Sequence, residues 1–262
     1  MSKDKAGTET AANKQSMNNR VVAVIPARYA STRFPGKPLV LIAGKPMIQH
    51  VYERAVATPS VSGVYVATDD DRIAESVQGF GGRAIMTGDH PTGTDRIAEA
   101  VEILEAEGVQ PGWVMNVQGD EPVIDPQDLE RLIQGLLAVE GAVMGTLVHP
   151  LRNDAELLDS NINKTVLDNQ GRALYFSRSP IPHPRGPGEL GLRHVGIYLY
   201  RRDFLSTFHK LSPTSLSERE QLEQLRALEH GYPIHCFPAG KVAIGVDVPG
   251  DVQRAEASLA ES

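Results

Sequence analysis

The sequence predicts an α/β fold: a doubly wound, mostly parallel sheet with a small β-rich insertion. Three observations predict it. Between about residues 20 and 149, apolar runs alternate with segments of helical periodicity. Several of the runs are continuously apolar, the pattern of strands covered by helices on both faces. From about residue 161 to 200 the pattern changes to short strand-like stretches separated by turns rich in Pro and Gly.

Each element follows in order. RVVAVIPA (20–27) is the first buried strand. KPMIQHVYERAVAT (45–58) sets Ile48, Val51, Tyr52 and Ala55 on one helical face. GVYVAT (63–68) is a strand, and DRIAESVQGF (71–80) is a short helix that stops near Gly81 and Gly82. GRAIMT (82–87) is a further strand. TDRIAEAVEILEAE (94–107) places Ile97, Val101 and Leu104 together and ends at Gly108. GWVMNVQG (112–119) reads as a strand, PQDLERLIQGLLA (126–138) as a helix and GAVMGTLVH (141–149) as a strand. Short crossovers between these units imply parallel pairing. In the insertion, NKTVLDNQG, RALYFSRS and LRHVGIYLY are strand-like, with a proline-rich loop over 180–188. Helices resume at 201–210 and 215–231. YPIHCFPA and KVAIGVD read as closing strands, and 249–260 as a last helix with Pro249 near its first turn.

The bulk numbers narrow the function classes. A chain of 262 residues suits a single domain over 20–262 that carries the insertion. Residues 1–19 have no apolar core, which predicts a disordered leader or tag and no signal peptide. A formal net charge of -7 argues against a nucleic-acid binder. No apolar segment is long enough to span a membrane, so the expected location is cytoplasmic. Cys236 is the one cysteine, which excludes an intramolecular disulfide and fits a small buried residue.

Against this acidic background one window stands out. Between Glu9 and Glu53 there is no acid, while Lys14, Arg20, Arg28, Arg33, Lys37 and Lys45 all fall there. Its centre, VIPARYASTRFPGKPL (24–39), leaves the first strand, and loops at strand carboxyl ends are where open α/β sheets bind ligands. Gly36 lets the backbone bend, and Arg28, Arg33 and Lys37 suit phosphate oxygens. Neither G-x-x-x-x-G-K-[ST] nor G-x-G-x-x-G is present here.

Other motifs complement it. VMNVQGDEPVI (114–124) delivers Asp120 at a strand end, where a carboxylate suits a hard cation such as Mg²⁺. Asp125, before Pro126, is the better cap for the next helix. AIGVDVPGD (243–251) delivers Asp247 in the same manner, although Asp247 equally suits a helix cap. In DHPTGTDRI (89–97), Thr92, Gly93 and Thr94 open a helix whose N–H groups can meet an anion, with Arg96 in reach. His194 lies alone in a strand, a common structural placement. Glu220 and Glu223 are spaced i, i+3, as neighbours on one helix.

PARYASTRFPGKPL, DHPTGTDRI, NVQGDEP, ALYFSRSPIP, RHVGIY, LEQLRALEHG and GVDVPGD, in that order, resemble the 3-deoxy-D-manno-octulosonate (Kdo) cytidylyltransferases, from Arg20 to the C-terminus. The resemblance implies a nucleotidyltransferase-type sheet with a β-rich dimerisation subdomain. It implies a Mg²⁺-dependent homodimer that makes CMP-Kdo and pyrophosphate from CTP and Kdo, for lipopolysaccharide synthesis in Gram-negative bacteria. It further implies that Arg28, Ser31, Arg33 and Lys37 hold the CTP phosphates and that Thr92, Gly93, Arg96 and Gln118 lie near the cytidine. Asp120 and Asp247 would bind Mg²⁺, and Arg28, Lys37, Asp120 and Asp247 would carry catalysis. Gln118, Arg178, His194, Tyr198, Glu220 and Glu223 would line the sugar site, with Asn163 and Lys164 at its edge. One departure is Leu216-Ser217, where the family often has Leu-Glu. Two other readings stay open: activation of another acidic sugar, an 8-amino-Kdo or a sialic acid, and a nucleotide-binding relative without turnover.

Overall fold

The computed structural model describes residues 19–30, 34–183, 185, 189–241 and 245–260. The first apolar run forms β1 (Val21–Ala27), and a 3-10 turn (Lys37–Leu39) leads into a two-stranded ribbon, β2 (Leu41–Ile42) and β3 (Lys45–Pro46). Then follow α1 (Met47–Val56), β4 (Val61–Thr68), α2 (Asp71–Gly79), β5 (Ala84–Met86), α3 (Gly93–Ala106), β6 (Trp113–Asn116), α4 (Pro126–Leu137) and β7 (Met144–Pro150). β1 pairs in parallel with β4 on one side and with β6 on the other, and β5 continues from β4. The strand order therefore reverses at β1, and the crevice at such a reversal is where open sheets bind ligands.

Alternation along β1 divides the core. Val21, Ala23, Ile25 and Ala27 pack with Ile48 and Val51 of α1, Ile73 of α2 and Leu132 of α4, while Val22 and Val24 face Ile97, Val101 and Leu104 of α3. A two-residue period carries one strand's side chains to both layers. Helix starts are set locally: Asp70 accepts from Arg72 N, and Asp125 accepts from Gln127 N with Pro126 at the first position of α4.

The later chain adds α5 (Asp154–Leu158), β8 (Lys164–Leu167), β9 (Ala173–Ser177), β10 (Leu192–Arg201), α6 (Arg202–Phe208), α7 (Ser215–Glu220), α8 (Leu225–Glu229), β11 (His235–Pro238) and α9 (Asp251–Ala260). The main sheet has the order β11-β7-β10-β6-β1-β4-β5. β10 is antiparallel to both of its neighbours; the other pairs along this path are parallel.

Three features differ from the sequence expectation in placement. LRHVGIYLY, read among the insertion's short strands, lies within a ten-residue strand in the middle of the main sheet. Its far end, Tyr198–Arg201, pairs with β6, while Leu192 and Arg193 pair with the β8–β9 hairpin. A register shift between Val195 and Tyr198 separates the two tasks. The single helix expected over 215–231 is broken: Gln221 is left-handed at φ 53, between α7 and α8. Arg178 stands at the break. Its Nε donates to Glu220 O at 2.8 Å and its Nη2 to Gln221 O at 3.3 Å, so carbonyls that a continuing helix would use are taken from outside. The closing strand expected at KVAIGVD is not found at Gly245–Asp247, and residues 242–244 lie outside the described residues. Val246 N instead donates to Asp120 O at 2.9 Å, pinning this segment to the loop after β6.

Candidate active site

The carboxyl ends of β1 and β6 and the start of α3 enclose a cavity of about 390 Å³. Arg28, Lys37, Thr92, Gly93, Arg96, Gln118, Asp120 and Asp247 all line it. The basic loop leaves β1 and returns where Gly36 N donates to Tyr29 O at 3.0 Å. The Tyr29 ring is covered by the Arg72 guanidinium, 3.3 Å from the ring centroid, and Asp70 holds that guanidinium in a fork. Gly36 sits at φ 70, and a Cβ there would lie 3.1 Å from the Tyr29 ring. Gly36→Ala therefore meets both the left-handed penalty of about 1–2 kcal/mol and a ring that has no room to retreat. The expected result is at least a tenfold rise in the KM for nucleotide, read from initial rates, with the unfolding temperature lowered by about 2–8 °C. Ser31 and Arg33 lie outside the described residues.

The 3-10 turn aims Lys37 inward. Its Nζ stands 2.7 Å from Asp120 Oδ2 and 3.3 Å from Asp247 Oδ1. Two carboxylates from distant parts of the chain thus converge on one cationic atom. Gly119 permits the β6 loop to pass across β1, since a Cβ there would be 3.0 Å from Pro26 O. This donor set fits a hard divalent cation: two carboxylate groups open to the cavity, with room for phosphate oxygens and water to complete an oxygen shell. Glu121, adjacent to Asp120, is a group the sequence reading missed. Burial, then the neighbouring Asp120 and Asp247, push its carboxyl up to about 8, and its Oε2 has no hydrogen-bond partner. The signal was the second acid of Gly119-Asp120-Glu121-Pro122, next to the one the motif reading singled out.

On the other wall, Thr92 caps α3 by accepting from Asp95 N at 3.1 Å, so the first turn of a 14-residue helix faces the cavity. Gln118 Nε2 donates to Asn116 Oδ1 at 3.1 Å. Arg96 is buried, and its guanidinium is committed to Thr87 Oγ1 at 2.7 Å and to Asp69 at 3.0 Å, which ties α3 to the ends of β4 and β5. His90, bonded to Glu99, also lines the cavity and was not singled out from sequence.

The remaining expected residues form a second cluster, none of them lining that cavity. Glu220 accepts from Ser177 Oγ at 2.6 Å and Arg178 N at 2.9 Å. Burial alone would raise its carboxyl; the hydrogen bonds from Ser177, Arg178 and Tyr175 outweigh it and hold it below the ordinary value. Lys164 is fully buried, donating to the carbonyls of Asp159, Ile162 and Arg178, and burial lowers its pKa. Glu223, expected beside Glu220 on one helix, goes elsewhere because the chain turns at Gln221. It accepts from Thr94 Oγ1 at 2.6 Å in the first turn of α3 and pairs with Arg226. Burial raises its carboxyl. Glu223 is thus the link between the second cluster and the wall of the cavity that α3 forms. Ser217 turns back on α7, its Oγ accepting from Thr214 N at 2.9 Å, so where the family often has Glu this chain uses a helix-capping serine.

His194 contacts Thr146 Oγ1 at 2.9 Å and Asn163 Nδ2 at 3.2 Å, with its ring packed between Phe176 and Tyr198. Tyr198 stacks in turn on Tyr200. Burial pushes the His194 imidazole from 6.5 down to about 3. The unfolded chain then takes up this proton first as pH falls, so stability is full above about 6.5 and declines below it. Between about pH 7.5 and about pH 5 the loss from this one group is about 2 kcal/mol. Urea unfolding of the wild type and of His194→Gln at both pH values checks this. The variant is expected to be less stable near neutrality but to lose about 2 kcal/mol less over the interval.

Comparison with known proteins places the chain. A family model described as cytidylyltransferase matches residues 22–234. A 3-deoxy-manno-octulosonate cytidylyltransferase of Syntrophotalea carbinolica is 51% identical over 250 residues, covering 91% of this chain and 98% of that protein. One from Myxococcus xanthus is 53% identical over 243 residues, with 92% and 96% covered. A solved CMP:2-keto-3-deoxy-manno-octonic acid synthetase complexed with CTP superposes with a TM-score of 0.86 at 45% identity, over 92% of this chain and 99% of that one. A 4-diphosphocytidyl-2C-methyl-D-erythritol synthase shares the fold at a TM-score of 0.64 and 16% identity, over 92% and 99%. With half of its residues shared along nine-tenths of its length, the chain belongs to the 3-deoxy-manno-octulosonate cytidylyltransferase family.

Proposed function

We propose that this chain transfers CMP from CTP to the anomeric hydroxyl of Kdo, releasing pyrophosphate and supplying activated sugar for lipopolysaccharide. The observation that carries the reading is the convergence of Lys37, Asp120 and Asp247 beside the N-terminus of α3, in a cavity of nucleotide size. Arg28 and Lys37, with Ser31 and Arg33, pair with the phosphate oxygens, and the first turn of α3 at Thr92 and Gly93 adds N–H groups. Gln118 and Arg96 border the cytidine. Asp120 and Asp247 would hold Mg²⁺, whose charge, when bound, offsets that of the phosphates. The sugar oxygen attacks the α-phosphorus; a new P–O bond forms while the bond to the β-phosphate oxygen breaks, and pyrophosphate leaves with that electron pair. The protein contributes positioning and charge neutralisation.

The acidic sugar sits against Gln118, Arg178, His194, Tyr198, Glu220 and Glu223, with Asn163 and Lys164 behind. The Glu223–Thr94 bond supports this, since it joins that cluster to the nucleotide wall. In this reading the enzyme works as a homodimer, as the order of its sequence motifs implies. The reaction is cytoplasmic, and among the described residues no helix is long and apolar enough to cross a membrane.

The test is pyrophosphate release with Mg²⁺, trying CTP, UTP, ATP and GTP against Kdo, an 8-amino-Kdo and a sialic acid. Release with CTP and Kdo alone is expected. Release only with another acidic sugar would overturn the substrate, and silence with CTP bound would overturn the activity.

A further inference from the structure

Asp247 comes from a segment with no regular structure, since Gly245–Asp247 lies in no strand or helix. A carboxylate that must meet Asp120 within a few ångströms cannot be left on a free loop, and something must fix its backbone. The side chain that does so belongs to the last helix. Asp251 Oδ2 accepts from Asp247 N at 2.8 Å and from Val248 N at 3.0 Å. Asp251 is only 8% exposed, and its other oxygen is engaged by Arg254.

The helix behind Asp251 is anchored to the rest of the site. Ala255, Val252 and Leu259 of α9 pack in one apolar cluster with Ile42, Met47, Val123 and Val246. Ile42 lies in the ribbon that follows the Lys37 turn, and Val123 in the loop that carries Asp120. Ala43 N donates to Glu256 Oε1 at 2.9 Å, a further tie from α9 to the ribbon. One small cluster thus binds together the three segments that present Lys37, Asp120 and Asp247, and Asp251 is its polar contact with the last of them.

We propose that Asp251 is a positioning residue for the cation site, holding the Asp247 backbone at the distance from Asp120 that shared coordination needs. The proposal rests on the reading of Asp120 and Asp247 as metal ligands. It differs from a simple helix-capping role in its readout. A cap sets the stability of α9; a positioning residue sets metal affinity.

The experiment measures Mn²⁺ binding by electron paramagnetic resonance, with a non-hydrolysable CTP analogue present, beside the metal dependence of pyrophosphate release. Asp251→Ala is expected to weaken Mn²⁺ binding at least tenfold and raise the activating metal concentration to match, with kcat at saturating metal within about threefold of wild type. Asp251→Asn keeps an acceptor oxygen and is expected to recover most of the affinity. Asp251→Glu keeps the charge favoured at a helix start and displaces the oxygen by one methylene, so it guards against a variant that fails to fold. It is expected to show wild-type unfolding temperature and at least a threefold weaker Mn²⁺ affinity. Unchanged Mn²⁺ affinity in Asp251→Ala or in Asp251→Glu, or an activity loss that saturating metal does not restore, would overturn the proposal. Asp120→Asn separates the two readings: if it also leaves Mn²⁺ binding intact, the metal assignment itself is wrong; if it abolishes binding while the Asp251 variants do not, only the positioning role falls.

Discussion

Asp120→Asn is expected to slow pyrophosphate release by about a thousandfold while leaving CTP bound. The substitution preserves size and removes one of the two carboxylates that converge on Lys37. Lys37 keeps its contact with Asp247, and Arg28 and the first turn of α3 are untouched, so the phosphates retain their cationic and N–H partners. With the cation that Asp120 would hold, the developing charge at the α-phosphate would lose its counter-charge, a transition-state loss more than a ground-state one. A metal titration of the rate, with calorimetric CTP binding on the same samples, decides it. Full activity in this variant would remove Asp120 from the metal site.

Lys37→Met should be almost as damaging, by about a hundredfold or more, but with a different signature. Nucleotide affinity is expected to fall together with kcat, because the proposed role of Lys37 spans both ground state and transition state. A second effect follows from the geometry. Without the ammonium, Asp120 and Asp247 face each other as like charges, a repulsion that Lys37 now cancels. The variant is therefore expected to melt at lower temperature than wild type, and Mg²⁺ should raise its melting temperature more than it raises that of wild type. Lys37→Arg should restore little, since a planar fork cannot place one donor atom between two carboxylates as a compact ammonium does. Thermal unfolding with and without Mg²⁺ tests the stability half, and KM against kcat tests the rest.

Glu121 and His90 show where sequence reasoning stops short. Both are ordinary by residue type and neighbour. Their place in the site depends on what stands across from them: Asp247 for Glu121, and the opening of α3 for His90. Arg96 is the opposite case, a residue with an obvious charge whose guanidinium the fold has committed to Asp69 and Thr87.

What the sequence determined by itself is local. Burial on two faces makes a strand continuously apolar, so β1 and β6 were legible without a structure, as was the mostly parallel pairing that short crossovers imply. Caps act over three residues, so Asp125 was legible as well, whereas Thr92 was read only as part of a helix opening placed at Thr94. The acid-free window around Lys37 stood out because charge is a property of the residue itself. What only the tertiary structure decided is long-range. β10 reads as one of the insertion's short strands, and it becomes central because β6 and β7 both pair with it. The helix over 215–231 has good local periodicity, and it breaks at Gln221, where Arg178, just past β9, takes the carbonyls of Glu220 and Gln221. Lys37 meets Asp247 across 210 residues of chain, a contact that no spacing or propensity encodes. Periodicity and capping report each residue's nearest neighbours along the chain. Pairing, ion partners and the shape of the site depend on groups brought together by closing long loops, and that cost is met only when the whole core assembles.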